Sequence, residues 1–511
     1  MTCVHRWKRG ISAGASLALV AAAATGWTVH ARFAHADNVV DLVAQTGDLD
    51  ASLAQVLHGA PFAMPIPSLP DIVPRVYDIT EYGAKPGIGQ VNTQAIQAAI
   101  DAASQHGGGI VDIPPGYWVT GPIVLKSHVD LNVESGAQLQ FSGDHDLYPL
   151  VPSGNSYIVQ SPISATNAVD VAITGHGVID GAGNTWRPVE KSKLSADQWN
   201  ALVASGGVVS PDGSTWWPTA QGANAQAYIK AHPNMTYQDD LQVKDYLRPY
   251  MVYFQGCQRV WLQGVTFENS PFATVKVNTS KDVVIDDVNI RNPWYGQNTD
   301  GIDVSADENV VLYRDVIDTG DDGIALESSG NDAAGVFNEQ DVVVADCIVH
   351  NGHSGFAVGS YTDGGIRDVW VTGDVYDGTE SGLRFKSGVG KGGLVEDIDM
   401  DHIVMRDISG AAITFDDGYV DNGADTSSLQ APGPNSYVPQ FENMTISNVS
   451  CEYAGQSIYM NGLPNAPISN IMLDDVNITA NKPPQIQNTS NLVENQVQIQ
   501  SGVTMLGEIP H

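Results

Sequence analysis

Apolar residues recur along this chain in short alternating runs broken by polar residues. A run of three or four alternating apolar positions is followed by a short Asn/Asp/Gly break and then by another apolar run. The unit appears in "CQRVWLQGVTFENS" (257–270), "SKDVVIDDVNIRNP" (280–293), "ADENVVLYRDVIDTG" (306–320), "NEQDVVVADCIVHNG" (338–352), "GGIRDVWVTGDVYDG" (364–378), "LVEDIDMDHIVMRDI" (394–408), "FENMTISNVSCEY" (441–453) and "ISNIMLDDVNIT" (468–479). Weaker copies lie at 127–142 and 168–180. Val, Ile and Leu fill the runs, and no 3.6-residue period is present, so the runs are strands. A self-similar unit repeating roughly every 23 to 33 residues suits one solenoid coil per copy. Coils built of short strands, each pairing with the coil above and below, make a parallel β-helix with one long thin core. A propeller blade needs about 40 or more residues and four antiparallel strands, which these units are too short to supply.

Three segments depart from the rhythm. In "NTQAIQAAIDAASQHGGG" (92–109), Ala95, Ile96, Ala99, Ile100 and Ala103 form an apolar stripe. Asn92 or Thr93 precedes it as a cap and Gly107 follows it, which predicts a helix closing the first coil against water. Residues 37–74 combine a short helix-like part, "LDASLAQVLHG", with the proline-rich "APFAMPIPSLPDIVP", and read as an N-terminal arm or linker before a β-helix domain at 75–511. Residues 185–248 form a long insertion, which in a solenoid maps to loops on one face. Trp216 and Trp217 within it either pack the insertion onto the body, the preferred reading, or stack on sugar rings.

The N-terminus carries the pattern of a signal peptide over residues 1–36. His5, Arg6, Lys8 and Arg9 precede an apolar run from Ile11 to Ala24, and "AHA" ends at Ala36. The expected protein is therefore secreted, extracellular or periplasmic. Four of the 24 basic residues and none of the 58 acidic ones lie before Asp37, which leaves 20 against 58, a net charge of −38. Such a surface argues against nucleic acid and anionic membranes as partners. Cys257, Cys347 and Cys451 remain, too few for a disulfide scaffold, and they sit in apolar runs as small buried hydrophobes do.

The polar breaks concentrate chemistry in one stretch. Asp300 closes one unit, and Asp321 and Asp322 hold the corresponding place one coil later. His353 follows in the next coil, and Arg384 and Lys386 in the one after. Equal phase in a solenoid means the same lateral face, so these side chains should share a patch spanning roughly 15 Å at the strand spacing. Taken singly, Asp in "NTDG" or "GDDG" is ordinary turn chemistry. Together, the three carboxylates bind a cation, share protons for chemistry, or decorate turns. Two carboxylates with separated pKa values supply the acid and base of glycoside hydrolysis, and a third raises one of them by repulsion. A guanidinium and an ammonium beside them suit an anionic substrate.

The segments "NTDG" (298–301), "GDDGIAL" (320–326), "GHSG" (352–355) and "RFK" (384–386) resemble, in order and spacing, the four signature segments of the polygalacturonases, glycoside hydrolase family 28. "YDITEYGAKPG" and "ITGHGVIDGAG" look like that family's opening coils, and the likeness runs from about Val76 to about residue 480. The resemblance implies a right-handed parallel β-helix and inverting hydrolysis of α-1,4 galacturonide bonds in polygalacturonate, with no metal or other cofactor. It implies Asp321 as general acid, Asp300 and Asp322 holding and activating water, and Asn298, His353, Arg384 and Lys386 binding substrate or tuning the acid. "HSGFAVGS" has one residue more than the endo-acting pattern and is similar to bacterial exo-acting members, as are "GLRFKSGVGKGGLVEDI" and the 185–248 insertion. Exo action and a monomer are expected. The family's later binding tyrosine finds no match by sequence. An endo-acting polygalacturonase, a pectate lyase holding Ca²⁺ on the acids and a non-catalytic, carbohydrate-binding β-helix are the alternatives.

Overall fold

The computed structural model describes residue 49 and residues 51–154, 156–330, 337–420 and 437–504. The signal-peptide expectation and the first part of the arm lie outside them. All the described residues belong to one compact unit, Thr46–His511.

Within that unit 33 strands form one sheet, and its registered strand pairs are parallel. The repeating coil carries three strands. One coil holds Val275–Asn278, Lys281–Asp286 and Asn289–Arg291; the next holds Ile302–Ser305, Glu308–Tyr313 and Val316–Asp318. Each strand pairs with its counterpart one coil on. The inward position of the middle strand stacks Val283, Val310, Val342, Val369, Ile398, Met444 and Ile471 in an unbroken column. Every member is at most 1 % exposed. This is the right-handed parallel β-helix, with the solenoid core where the apolar runs put it.

The breaks have a physical reason. The residue just before each member of that column is held in the left-handed region: Asp282, Asn309, Asp341, Asp368, Asp397, Asn443 and Asn470, at φ between +54° and +64°. Asn and Asp tolerate this conformation better than other chiral residues. Their side chains also ladder between coils, as in Asn470 Nδ2 to Asn443 Oδ1 at 3.0 Å. Late in the chain the breaks are bends rather than gaps. Leu394–Arg406 and Gln440–Asn461 run through as single strands, the first bending at His402, φ +55°.

The capping helix is Thr93–Gln105, which buries Ile96, Ala99, Ile100 and Ala103 on the first coil and stops at His106, one residue before Gly107. The Asn92 side chain does not cap it but accepts from Lys85 N–H at 2.8 Å. The insertion holds helices Ala196–Ala204, Ala220–Ala231, Tyr237–Gln242 and Lys244–Leu247 and a small antiparallel sheet. Trp216 packs with Val189 and Trp199, and Trp217 lies against Tyr246, so both tryptophans are the insertion's own core. His145, stacked on Trp186, joins Asp245 at 2.8 Å and fastens the insertion to the solenoid. Cys257, Cys347 and Cys451 are free and buried.

The solenoid also buries carboxyl groups in its strands and turns. Burial pushes Asp130, Asp307 and Asp374 up to about 7, and Asp112 and Asp417 up to about 8. The unfolded chain releases these protons near pH 4, whereas the folded chain keeps them until about pH 7. Between those values the native state binds more protons, so stability falls as pH rises. The melting temperature is expected to drop by at least several degrees from pH 5 to pH 8; a rise over that range would contradict this reading.

Candidate active site

Register assembles the site. Ile302 pairs with Ile324, and Gly301 N–H donates to the Asp322 carbonyl at 2.9 Å, which sets the Asp300 turn beside the Asp321–Asp322 turn. Asp322 pairs with Ser354, and Ser354 with Ser381, at the foot of the strand that carries Arg384 and Lys386. His353 N–H donates to the Asp321 carbonyl at 2.9 Å. All seven residues expected from the sequence, Asn298, Asp300, Asp321, Asp322, His353, Arg384 and Lys386, thus fall on one face over four successive coils.

The three carboxylates are close. One oxygen from each of Asp300, Asp321 and Asp322 lies within 4.8 Å of the others. Their surroundings differ. Asp322 is 2 % exposed, and burial alone would raise it. Lys386 Nζ at 2.7 Å, Arg384 Nη1 at 3.6 Å and the Ser354 hydroxyl at 2.5 Å outweigh burial and hold it well below the usual carboxylate range. Asp300 goes the other way. Burial first, then the charges of Asp321, Asp303 and Asp322, push it well above that range. Like charges this close do not all ionise, so Asp300 retains its proton while Asp322 stays an anion.

Asp321 is surrounded by donors. Its Oδ2 accepts from Asn298 N–H at 3.1 Å and Asn298 Nδ2 at 3.5 Å. Its Oδ1 accepts from Asp322 N–H at 3.0 Å and faces His353 Nδ1 at 3.0 Å. Burial pulls His353 down, but the Asp321 hydrogen bond and the charges of Asp321 and Asp322 raise it above its ordinary value. Opposed carboxyl environments in one groove are the arrangement that acid–base chemistry on a glycosidic bond requires. The same three oxygens could also gather a cation, although Lys386 already neutralises one of them.

Comparison with known proteins agrees with this geometry. Residues 189–497 match the family model of the glycosyl hydrolases family 28. The chain belongs to glycosyl hydrolase family 28. It is 30 % identical over 393 residues to an exo-poly-alpha-D-galacturonosidase of Dickeya chrysanthemi, an alignment covering 74 % of this chain and 62 % of that protein. A probable polygalacturonase of Vitis vinifera is 27 % identical over 438 residues, covering 82 % and 77 %. Among solved structures, an exopolygalacturonase from Thermotoga maritima superposes with a TM-score of 0.66 at 24 % identity, covering 88 % of this chain and 96 % of that one. The Yersinia enterocolitica family 28 exopolygalacturonase gives 0.64 at 22 %, covering 84 % and 78 %. At these identities the two structures establish the shared β-helix.

Several residues of this family 28 site escape sequence reasoning. The Tyr419 ring centroid lies 5.6 Å from the Arg384 guanidinium, 5.3 Å from Lys386 Nζ and 5.0 Å from Lys391 Nζ, so three cations gather around one ring. Nothing in its local sequence marks Tyr419. On the other side, Lys276 is buried between Glu327 at 3.2 Å and Asp303 at 3.8 Å. Asp303 is pushed up to about 7, by burial first and, against the pull of Lys276, by Glu327. Arg248, at the end of the insertion, donates to Asn298 Oδ1 at 2.8 Å.

Proposed function

We propose that this protein is a secreted polygalacturonase, acting as a monomer, that hydrolyses α-1,4-galacturonide bonds from chain ends by single-displacement, inverting chemistry without a metal. The observation that carries the proposal is the contrast between Asp322, held ionised by Lys386 and Arg384, and the proton-retaining Asp300, with one oxygen of each and of Asp321 within 4.8 Å of the others.

In this reading Asp321 protonates the glycosidic oxygen. As the proton departs, the N–H of Asn298 and of Asp322, the Asn298 amide and the His353 imidazole receive the carboxylate it leaves behind. A water between Asp300 and Asp322 attacks the anomeric carbon and gives up its proton to a carboxylate. The nearest carboxylate oxygens are closer than the ~6.5–9.5 Å carboxyl separation of a typical inverting pair. The third acid accounts for this, since the water sits between two carboxylates flanking the acid rather than against a single distant base. Arg384 and Lys386, with the Tyr419 ring beneath them, suit a galacturonate carboxylate next to the bond cleaved. The insertion flanking the Asn298 loop, with Tyr295 packed against its Trp199–Trp216 core, supports attack from a chain end.

Two assays test this reading. Product sizing on polygalacturonate over time is expected to give monomer or dimer from the first minutes, whereas a ladder of intermediate lengths would contradict exo action. The same digestion should proceed undiminished in chelator and give no unsaturated, ultraviolet-absorbing product. Chelator-sensitive activity with such a product would assign the carboxylates to a lyase's Ca²⁺ instead.

A further inference from the structure

Arg248 belongs to no motif, yet its setting is unusual. Its backbone sits at φ +46°, a conformation that costs a non-glycine residue about 1–3 kcal/mol and persists only where the surroundings impose it. It is 8 % exposed, with its guanidinium 4.6 Å from the Phe272 ring. Nη1 donates to the Gln297 carbonyl and Nη2 to Asn298 Oδ1, both at 2.8 Å, while the buried Nε has no acceptor. Among the described residues no carboxylate lies within ion-pair distance of it. A buried cation without a carboxylate is costly, so filling space is a poor account of an arginine here. Burial pushes it down to about 10, which leaves it charged at neutral pH, and Asp300 and Asp321 are among the charges that act on it.

The contact to Asn298 is directional. A guanidinium only donates, so it must meet the amide oxygen, and this fixes which way the amide points. Nδ2 is then turned toward Asp321 Oδ2, beside the Asn298 N–H that already reaches the same oxygen.

We propose that Arg248 is a positioning residue for the acid: it locks Asn298 so that two donors converge on Asp321, and it ties the insertion mechanically to the catalytic centre. The proposal rests on the polygalacturonase reading of the site. A group moved by about 1 Å can cost on the order of 10²-fold in rate, which sets the size of the effect.

The test is a double-variant cycle on the full chain. Arg248→Ala and Asn298→Ala are each expected to lower kcat on polygalacturonate about 10²-fold with KM changed by less than about threefold. The double variant should be no slower than the worse single one, because both break the same link. Guanidinium added below denaturing concentration should restore at least about tenfold to Arg248→Ala and nothing to Asn298→Ala. Losses that multiply in the double variant, or an Arg248→Ala defect confined to KM, would overturn the proposal. Where Arg248→Ala does not fold, Arg248→Lys carries the same cycle with a smaller loss. Urea midpoints of the four chains read the Arg248–Asn298 link without substrate. Non-additive midpoints in a chain that releases no sugar would locate the failure in the polygalacturonase reading. Additive midpoints in an active enzyme would locate it in Arg248.

Discussion

Asp321→Asn is expected to cleave polygalacturonate at least about 10³-fold more slowly than the unmodified protein, with little change in melting temperature. General acid catalysis contributes about 10²–10⁴-fold, and a leaving sugar oxygen that receives no proton makes the upper part of that range appropriate. The amide nearly matches the carboxyl in size. Asp321 is 8 % exposed and is held by neighbours on three elements, the Asn298 loop, its own turn and the His353 turn. An asparagine oxygen can still accept from Asn298 or from Asp322 N–H, so the fold survives while the proton donor is lost. Reducing-sugar release under saturating substrate measures the rate and thermal unfolding measures the fold. A variant that keeps more than about a tenth of the rate would remove Asp321 from the acid's role.

Lys386→Met is expected to damage both stability and turnover. Lys386 donates to Asp322 Oδ2 at 2.7 Å and is itself buried, and without it Asp322 keeps only Arg384 at 3.6 Å and the Ser354 hydroxyl. Breaking a buried pair by removing one partner costs about 3–5 kcal/mol. Asp322 lies below its unfolded value in the folded chain, so its contribution is present above about pH 4 and disappears as pH falls further. The deficit of Lys386→Met in urea unfolding should therefore be largest near pH 7 and shrink below about pH 4. A deficit independent of pH would mean that Lys386 acts by packing alone. Turnover should fall by at least about 10²-fold, because Asp322 loses its charge bias and the substrate carboxylate loses a cation.

What could be read from the sequence follows from the regularity of the solenoid. A coil that returns to the same face turns sequence spacing into spatial adjacency. That is why Asp300, Asp321, Asp322, His353 and the Arg384–Lys386 pair could be placed together before any coordinates. The Asx residues of the breaks were equally legible, because left-handed turns favour them at fixed offsets from the inward column. Legibility ended where the rhythm did. Arg248 closes a 64-residue excursion, numbered 185–248, that carries helices of its own. Tyr419 lies beyond the strand Ile408–Asp416, where the sequence repeat no longer sets the phase. The extra residue in "HSGFAVGS" did not displace His353, because Ser354–Val358 keeps its register with Asp322 and Ile324 on one side and with Ser381 and Leu383 on the other. The late coils, expected as separate short strands, run on because left-handed residues such as His402 bend the chain without ending its pairing.

Inverting hydrolysis at this site requires water to attack from the face opposite the departing sugar, activated between Asp300 and Asp322 while Asp321 protonates the bond. Proton NMR of a polygalacturonate digestion in its first minutes reads this directly through the anomeric configuration of the newly formed reducing end. Attack from the opposite face releases the β-anomer first, with the α-anomer growing in only by mutarotation. An initial α-anomer, or an unsaturated product in its place, would contradict it.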